Sequence, residues 1–169
     1  PEPSPSGNVH GMPLAAALGL APDAFASEAW PLAALDPKHV ALVGIRSLDA
    51  GERELVNELG IAVYTMTDLD RRGVEPVVRE ALERVSGAAF VHVSLDMDVV
   101  DPEAAPGVGT PVRGGLSYRE AHLAMELVAE WGRFASFEVV EVNPILDREN
   151  ATGLLAVDLA ASVFGERIL

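Results

Sequence analysis

Apolar and polar positions alternate in blocks along the chain, with a run suited to a buried strand followed each time by a stretch with helical spacing. Val40–Ile45 and Ile61–Met66 are continuous apolar runs of strand length. Between them, residues 51–59 place Leu55 and Leu59 on one helical stripe, and Gly60 supplies the stop. A helical stretch then reaches about Val85, with Gly73 or Pro76 as expected breaks. Ala88–Leu95 reads as a third strand, apolar enough to be buried on both faces. Ser117 and Glu120 have the spacing of a capping box that opens a helix to about Trp131. Phe134–Val142 is the fourth strand, and Asn150 or Thr152 caps a last helix running to about Gly165. Ahead of these elements, Met12–Leu20 predicts a short helix with Pro13 in its first turn, and residues 21–36 a connection.

Strands that alternate strictly with helices imply a parallel sheet covered on both faces, in one α/β domain over residues 1–169. In such sheets ligands collect beyond the carboxyl ends of the strands. The polar residues at those ends are Asp49 and Glu52 after the first strand, Asp96 and Asp98 after the third, and Glu141 with Asn143 after the fourth.

Composition narrows the chemistry. The 169 residues are 49% hydrophobic and 22% charged, which suits a chain that buries a core. A formal charge of -14, with only 12 Lys and Arg, argues against a nucleic-acid surface. The absence of Cys excludes disulfides, zinc-thiolate sites and thiol nucleophiles, leaving oxygen and imidazole as metal ligands. No apolar stretch reaches the roughly 20 residues of a membrane-spanning helix, and a cytoplasmic location is expected. The first residue is Pro1, so processing or truncation upstream is expected as well.

Asp96 and Asp98 stand at i and i+2 where a core strand ends, which points both to one side. Such a pair repels itself unless a cation lies between, and hard oxygens select Mg, Ca or Mn. Two carboxylates do not fill a coordination shell, so further ligands must come from elsewhere. His10 follows the rigid Pro- and Ser-rich segment Pro5-Ser6-Gly7-Asn8 and is a candidate ligand or proton shuttle. His92, within the third strand, reads as a hydrogen-bonded core histidine, and His39 and His122 as ordinary surface or element-end positions. Glu141 needs a cationic partner, and an Arg of this chain is the plain choice. Glu138 reads as structural. Asp49 and Glu52 equally fit helix N-terminal acids.

Three stretches carry a family resemblance. Ser94-x-Asp96-x-Asp98 with Pro106-Gly107 and Gly115, the segment Pro5–Gly11, and Glu141-Val142-Asn143-Pro144 together resemble the ureohydrolase family in its arginase form rather than its agmatinase form. The stretch Gly114–Glu120 agrees. The resemblance covers the chain but only the C-terminal part of the family's length. It implies a three-layer α/β/α fold with a mostly parallel sheet whose N-terminal strands lie outside this chain, and it places the family's other metal-binding segments upstream of Pro1.

It further implies two manganese ions in the complete enzyme, with Asp96 bridging them and Asp98 binding one, and water so activated attacking the guanidinium carbon of L-arginine. Glu141 would pair with the guanidinium and His10 would carry a proton to the leaving amine, giving L-ornithine and urea. Ser6, Gly7 and Asn8 would hold the substrate carboxylate, Asp49 its α-amino group, and Thr110 would lie near the guanidinium end. Glu52 is a further substrate or supporting residue, and Ser47 stands where some relatives carry Asp. Trimers or hexamers are implied as assemblies. The alternatives are another ureohydrolase acting on agmatine or a guanidino acid, or a structural remnant without catalysis. Residues 1–169 alone are expected to bind manganese weakly, to lack activity, and to be poorly soluble with a sheet edge open.

Overall fold

The computed structural model describes residues 9–20, 22–25 and 35–166. Short helices α1 (Pro13–Ala17) and α2 (Pro22–Phe25) precede β1 (Ala41–Ile45), α3 (Ala50–Leu59), β2 (Ala62–Thr65), α4 (Met66–Arg72) and α5 (Val74–Val85). Then come β3 (His92–Asp96), α6 (Tyr118–Trp131), β4 (Ser136–Val140) and α7 (Ala151–Val163). α1 is shorter than the expected 12–20, while the break between α4 and α5 falls at Gly73, whose φ of 84° suits glycine.

Local chemistry explains the helix starts. Asp49 with Glu52, Thr65 with Asp68, and Ser117 with Glu120 each form a reciprocal capping box, satisfying amide groups that the first turn leaves without partners. α7 is started differently. Asn150 occupies the cap position with a φ of 59° and no side-chain cap bond; the Asp147 carboxylate takes the Thr152 and Gly153 amides instead.

The single expected sheet is present as two parallel pairs, β1 with β2 and β3 with β4. No described strand hydrogen-bonds to both β1 and β3, so the pairs are joined by packing. α5 lies on β1, β2 and α6, and α6 lies on α7. One core, containing Tyr64, Val77, Leu95, Met97, Leu127 and Leu159, runs through both halves.

The third strand corrects three expectations. It starts at His92 rather than Ala88, and only Leu95 on it is fully buried. His92, Ser94 and Asp96 form an exposed row, so His92 is not a core histidine: its ring contacts Ser136 Oγ at 2.7 Å and Glu138 Oε1 at 3.2 Å. Ser94 Oγ donates to the same Glu138 oxygen at 2.9 Å. The polar ladder exists because parallel register sets His92 opposite Ser136 and Ser94 opposite Glu138. His122, expected near a surface, is buried on α6 with Nδ1 2.9 Å from Ser162 Oγ of α7. The reason is the α6–α7 contact, which no local pattern reveals. Among the described residues no helix is long and apolar enough to cross a membrane.

Candidate functional site

Beyond Asp96 the strand ends in a tight 3-10 turn, Met97–Val99. The fully buried Met97 anchors it, and the Asp98 amide donates to Asp96 Oδ1 at 2.8 Å. Asp98 therefore stands on a turn, not on the strand as expected, and the strand's own acid shapes that turn. The next segment returns alongside: Leu116 and Val99–Asp101 exchange backbone bonds at 2.9 and 2.8 Å. Gly115 permits this approach, since a Cβ there would lie 2.6 Å from the Val99 carbonyl oxygen.

The loop from Ala105 to Thr110 forms the other wall. Val108 bridges to Val142, and the Asn143 amide donates to the Gly107 carbonyl at 2.7 Å. Gly107 is pressed against Asp147, where a Cβ would sit 2.4 Å from the Asp147 Cβ, and its amide donates to Thr152 Oγ1 at 2.7 Å. The start of α7 thus holds the loop in place. At the loop's end the Thr110 hydroxyl donates to Asp98 Oδ2 in a short contact.

Glu141 follows β4 directly and adopts a φ of 64°, a left-handed conformation that costs a non-glycine residue about 1–3 kcal/mol. That turn sets its carboxylate near Gly109, whose Cβ position lies 3.9 Å from Oε2, and 3.9 Å from His10 Nδ1 through Oε1. The expected Arg partner of Glu141 does not occur among the described residues; the side chain the structure sets near it is His10. Asp96, Asp98, Thr110, Glu141 and His10 are brought together, although His10 lies more than eighty residues from the rest in sequence.

The electrostatics of this corner are unsatisfied. Asp98 Oδ1 is buried and has no hydrogen-bond partner. The Asp96 carboxyl is pushed above its ordinary range, first by desolvation and then by the charges of Asp98 and Glu141, against the Asp98 amide and Arg46, which pull it down. Two adjacent carboxylates, one with a buried oxygen that has no partner, are a donor set for a hard divalent cation. Asp96 and Asp98 fit such an ion as ligands, but among the described residues no three His, Asp or Glu side chains converge to complete its shell.

Asp49 and Glu52 are placed elsewhere in the local scheme, their Oδ1 and Oε2 atoms engaged in the cap of α3 at 2.8 and 2.9 Å. This is the helix N-terminal reading of those acids. Ser6, Gly7 and Asn8 lie outside the described residues. Two residues went unnoticed in the sequence: Asp147, whose capping role was hidden by the Asn150 and Thr152 signals, and Arg46, which no motif distinguishes. Two surface hollows, one about Tyr64, Glu80 and Arg84 and one about Asp101, Glu103 and Ser117, include none of the clustered side chains.

The sequence profile of the arginase family matches residues 1–165. The arginase of Bacillus subtilis is 50% identical over 168 residues, which is 99% of this chain and 57% of that protein. The native structure of arginase from Bacillus caldovelox superposes with a TM-score of 0.90 at 50% identity, covering 99% of this chain and 56% of that one. Proclavaminate amidino hydrolase from Streptomyces clavuligerus is more distant, at 34% identity and a TM-score of 0.68, covering 76% of this chain and 42% of that one. The chain thus spans a little over half the length of the arginases it matches. With the α/β architecture and the profile in agreement over nearly all of its length, the chain belongs to the arginase family.

Proposed function

We propose that residues 1–169 are the C-terminal portion of a manganese-dependent arginase that hydrolyses L-arginine to L-ornithine and urea. The observation that carries this reading is the gathering of Glu141 and His10 beside the Asp96–Asp98 pair, one of whose oxygens is buried without a partner. Asp96 and Asp98 hold the metal, together with ligands from the remainder of the protein. Bound manganese supplies Lewis acidity and water acidic enough to ionise near neutral pH.

The other side chains act on the substrate. Glu141 pairs with the planar guanidinium, whose fork matches a carboxylate. The left-handed backbone at Glu141, which turns its carboxylate toward Gly109 and His10, supports that role. Thr110 steadies Asp98 and lies at the guanidinium end. His10, against Glu141, carries a proton to the departing amine of ornithine. Ser6, Gly7 and Asn8 bind the substrate carboxylate. Asp49 receives the α-amino group, with Glu52 behind it through their shared cap. The complete protein assembles as a trimer or hexamer in the cytoplasm.

Agreement with arginases over 99% of the chain, against 76% for the proclavaminate enzyme, favours arginine over other guanidino substrates. The test is urea release by the full-length protein with manganese, from L-arginine and from agmatine in parallel. Urea from arginine is expected. Urea from agmatine alone would overturn the substrate assignment.

A further inference from the structure

Arg46 follows β1 directly and is half-buried, and its side chain ends on main-chain carbonyls rather than on a carboxylate. Nη2 donates to the Asp98 carbonyl at 2.5 Å and to the Val112 carbonyl at 2.6 Å. Nε donates to the same Val112 oxygen at 3.0 Å, and Nη1 reaches the Val99 carbonyl at 3.5 Å. A guanidinium is a planar array of five donors that stays charged, so it can hold several carbonyls at fixed positions; an ammonium on a flexible stem cannot.

The carbonyls it holds belong to the parts of the site that must keep register. Asp98 is the residue with the orphaned Oδ1, and Val112 lies two residues beyond Thr110, whose hydroxyl bonds the other Asp98 oxygen. Arg46 therefore closes a ring through the end of β1, the 97–99 turn and the 110–112 segment. Gly44 allows the ring to close: its φ is 81°, and a Cβ there would lie 2.4 Å from Val99 Cγ2. Asp98 is thus gripped at its carbonyl by Arg46 and at Oδ2 by Thr110, which leaves Oδ1 as its oxygen without a protein partner.

We propose that Arg46 is a positioning residue for the cation site, its guanidinium fixing the Asp98 main chain against the Thr110–Val112 segment so that Asp98 Oδ1 is presented to the ion. This rests on the metal-binding half of the proposed function and not on the choice of substrate. An arginine that only ties one element to another would stabilise the fold without governing the ion, and Arg84 of α5 provides that comparison. Its Nη2 donates to the Gly60 carbonyl at 2.9 Å, in the turn before β2, and to none of the segments that carry the clustered acids.

The experiment is Mn2+ binding to the full-length protein, read by the electron paramagnetic resonance of the free ion, for wild type, Arg46→Lys, Arg46→Gln and Arg84→Lys. The Arg46 variants should bind Mn2+ about 10–100-fold more weakly, as is usual when a residue supporting a metal ligand is lost. Their kcat for arginine should return toward wild type as Mn2+ is raised, with KM little changed, while Arg84→Lys matches wild type throughout. Arg46→Gln, which is smaller and uncharged, covers the case in which the Lys variant does not fold. Wild-type Mn2+ affinity in a folded Arg46 variant, or an equal loss in Arg84→Lys, would overturn the proposal. A wild type that binds Mn2+ yet releases no urea from arginine would instead sink the substrate assignment, and the Arg46 comparison would still be decided by binding.

Discussion

β2 and β3 are both short parallel strands that run straight into helical backbone with an acid close behind, yet their ends have opposite chemistry. At β2 Asp68 and Glu80 are both answered. Asp68 takes the Thr65 amide at 2.8 Å and the Thr65 hydroxyl at 2.6 Å, and these bonds hold its carboxyl below the ordinary range. Glu80 binds Arg72 in a short ion pair and accepts from Tyr64 Oη at 3.3 Å, and it too is lowered, chiefly by Arg72. At β3 the Asp96 carboxyl is raised and Asp98 Oδ1 has no partner. One arrangement spends its carboxylates on the fold; the other keeps them back for something the protein must bind.

The sharpest break in that comparison is Asp98→Asn. The change preserves shape but removes the charge a hard cation requires, so arginine hydrolysis by the full-length protein should fall by more than about 100-fold and Mn2+ binding should weaken with it. The same exchange at β2, Asp68→Asn, should leave both intact. Equal losses of urea release in the two variants would mean that the strand ends differ in appearance only.

Next in size is a change that leaves the acids alone and moves the frame. Gly115→Ala puts a Cβ 2.6 Å from the Val99 carbonyl oxygen and 2.7 Å from the Asp101 amide nitrogen, all backbone that cannot step aside. A loss of about 1–3 kcal/mol in denaturant unfolding is expected. Gly114→Ala, next to it, meets nothing within 4 Å and carries only the cost of a φ of 80°. It should lose less.

What the sequence made legible was whatever is decided within a few residues. The capping box at Ser117 and Glu120, the stop at Gly60 and the break at Gly73 are local, and each stands where the pattern put it; of the acid pair, Asp96 closes β3 while Asp98 falls on the turn beyond. What stayed hidden depends on contacts distant in sequence. The sheet divides into two pairs, His92 is exposed and His122 buried, because burial depends on which element arrives opposite. The left-handed turn at Glu141 and the reach of Arg46 to Val112 are likewise properties of the assembled chain. The acid pair could be named from spacing alone, but the orphaned oxygen that gives it meaning could not.

A smaller effect separates the two ends by pH. A carboxyl raised in the folded state contributes stability that is present below its unfolded pKa and is lost as pH rises through the folded value. In metal-free protein Asp96→Asn should therefore raise the unfolding midpoint at neutral pH, on the order of 2 °C given the screening of a part-exposed side chain. The advantage should disappear below about pH 3, where wild type is protonated in both states. Saturating Mn2+ should reverse the order, because the ion stabilises only the form that binds it. An unchanged order with Mn2+ present would remove Asp96 from the metal's ligands.

The smallest effect is the mirror of that one. The Glu80 carboxyl is lowered in the folded state, so its contribution is present above the unfolded pKa and fades as pH falls through the folded value. Glu80→Gln should cost a little stability at neutral pH, with the difference from wild type vanishing in acid, and Mn2+ should leave the comparison untouched. Because the Arg72–Glu80 pair is exposed, the loss should be smaller than the Asp96→Asn gain and should shrink in high salt. Thermal unfolding from pH 3 to pH 8, with and without 1 M salt, checks both signs together. If Glu80→Gln and Asp96→Asn shifted the midpoint in the same direction at neutral pH without metal, the division between satisfied acids at β2 and waiting acids at β3 would fail.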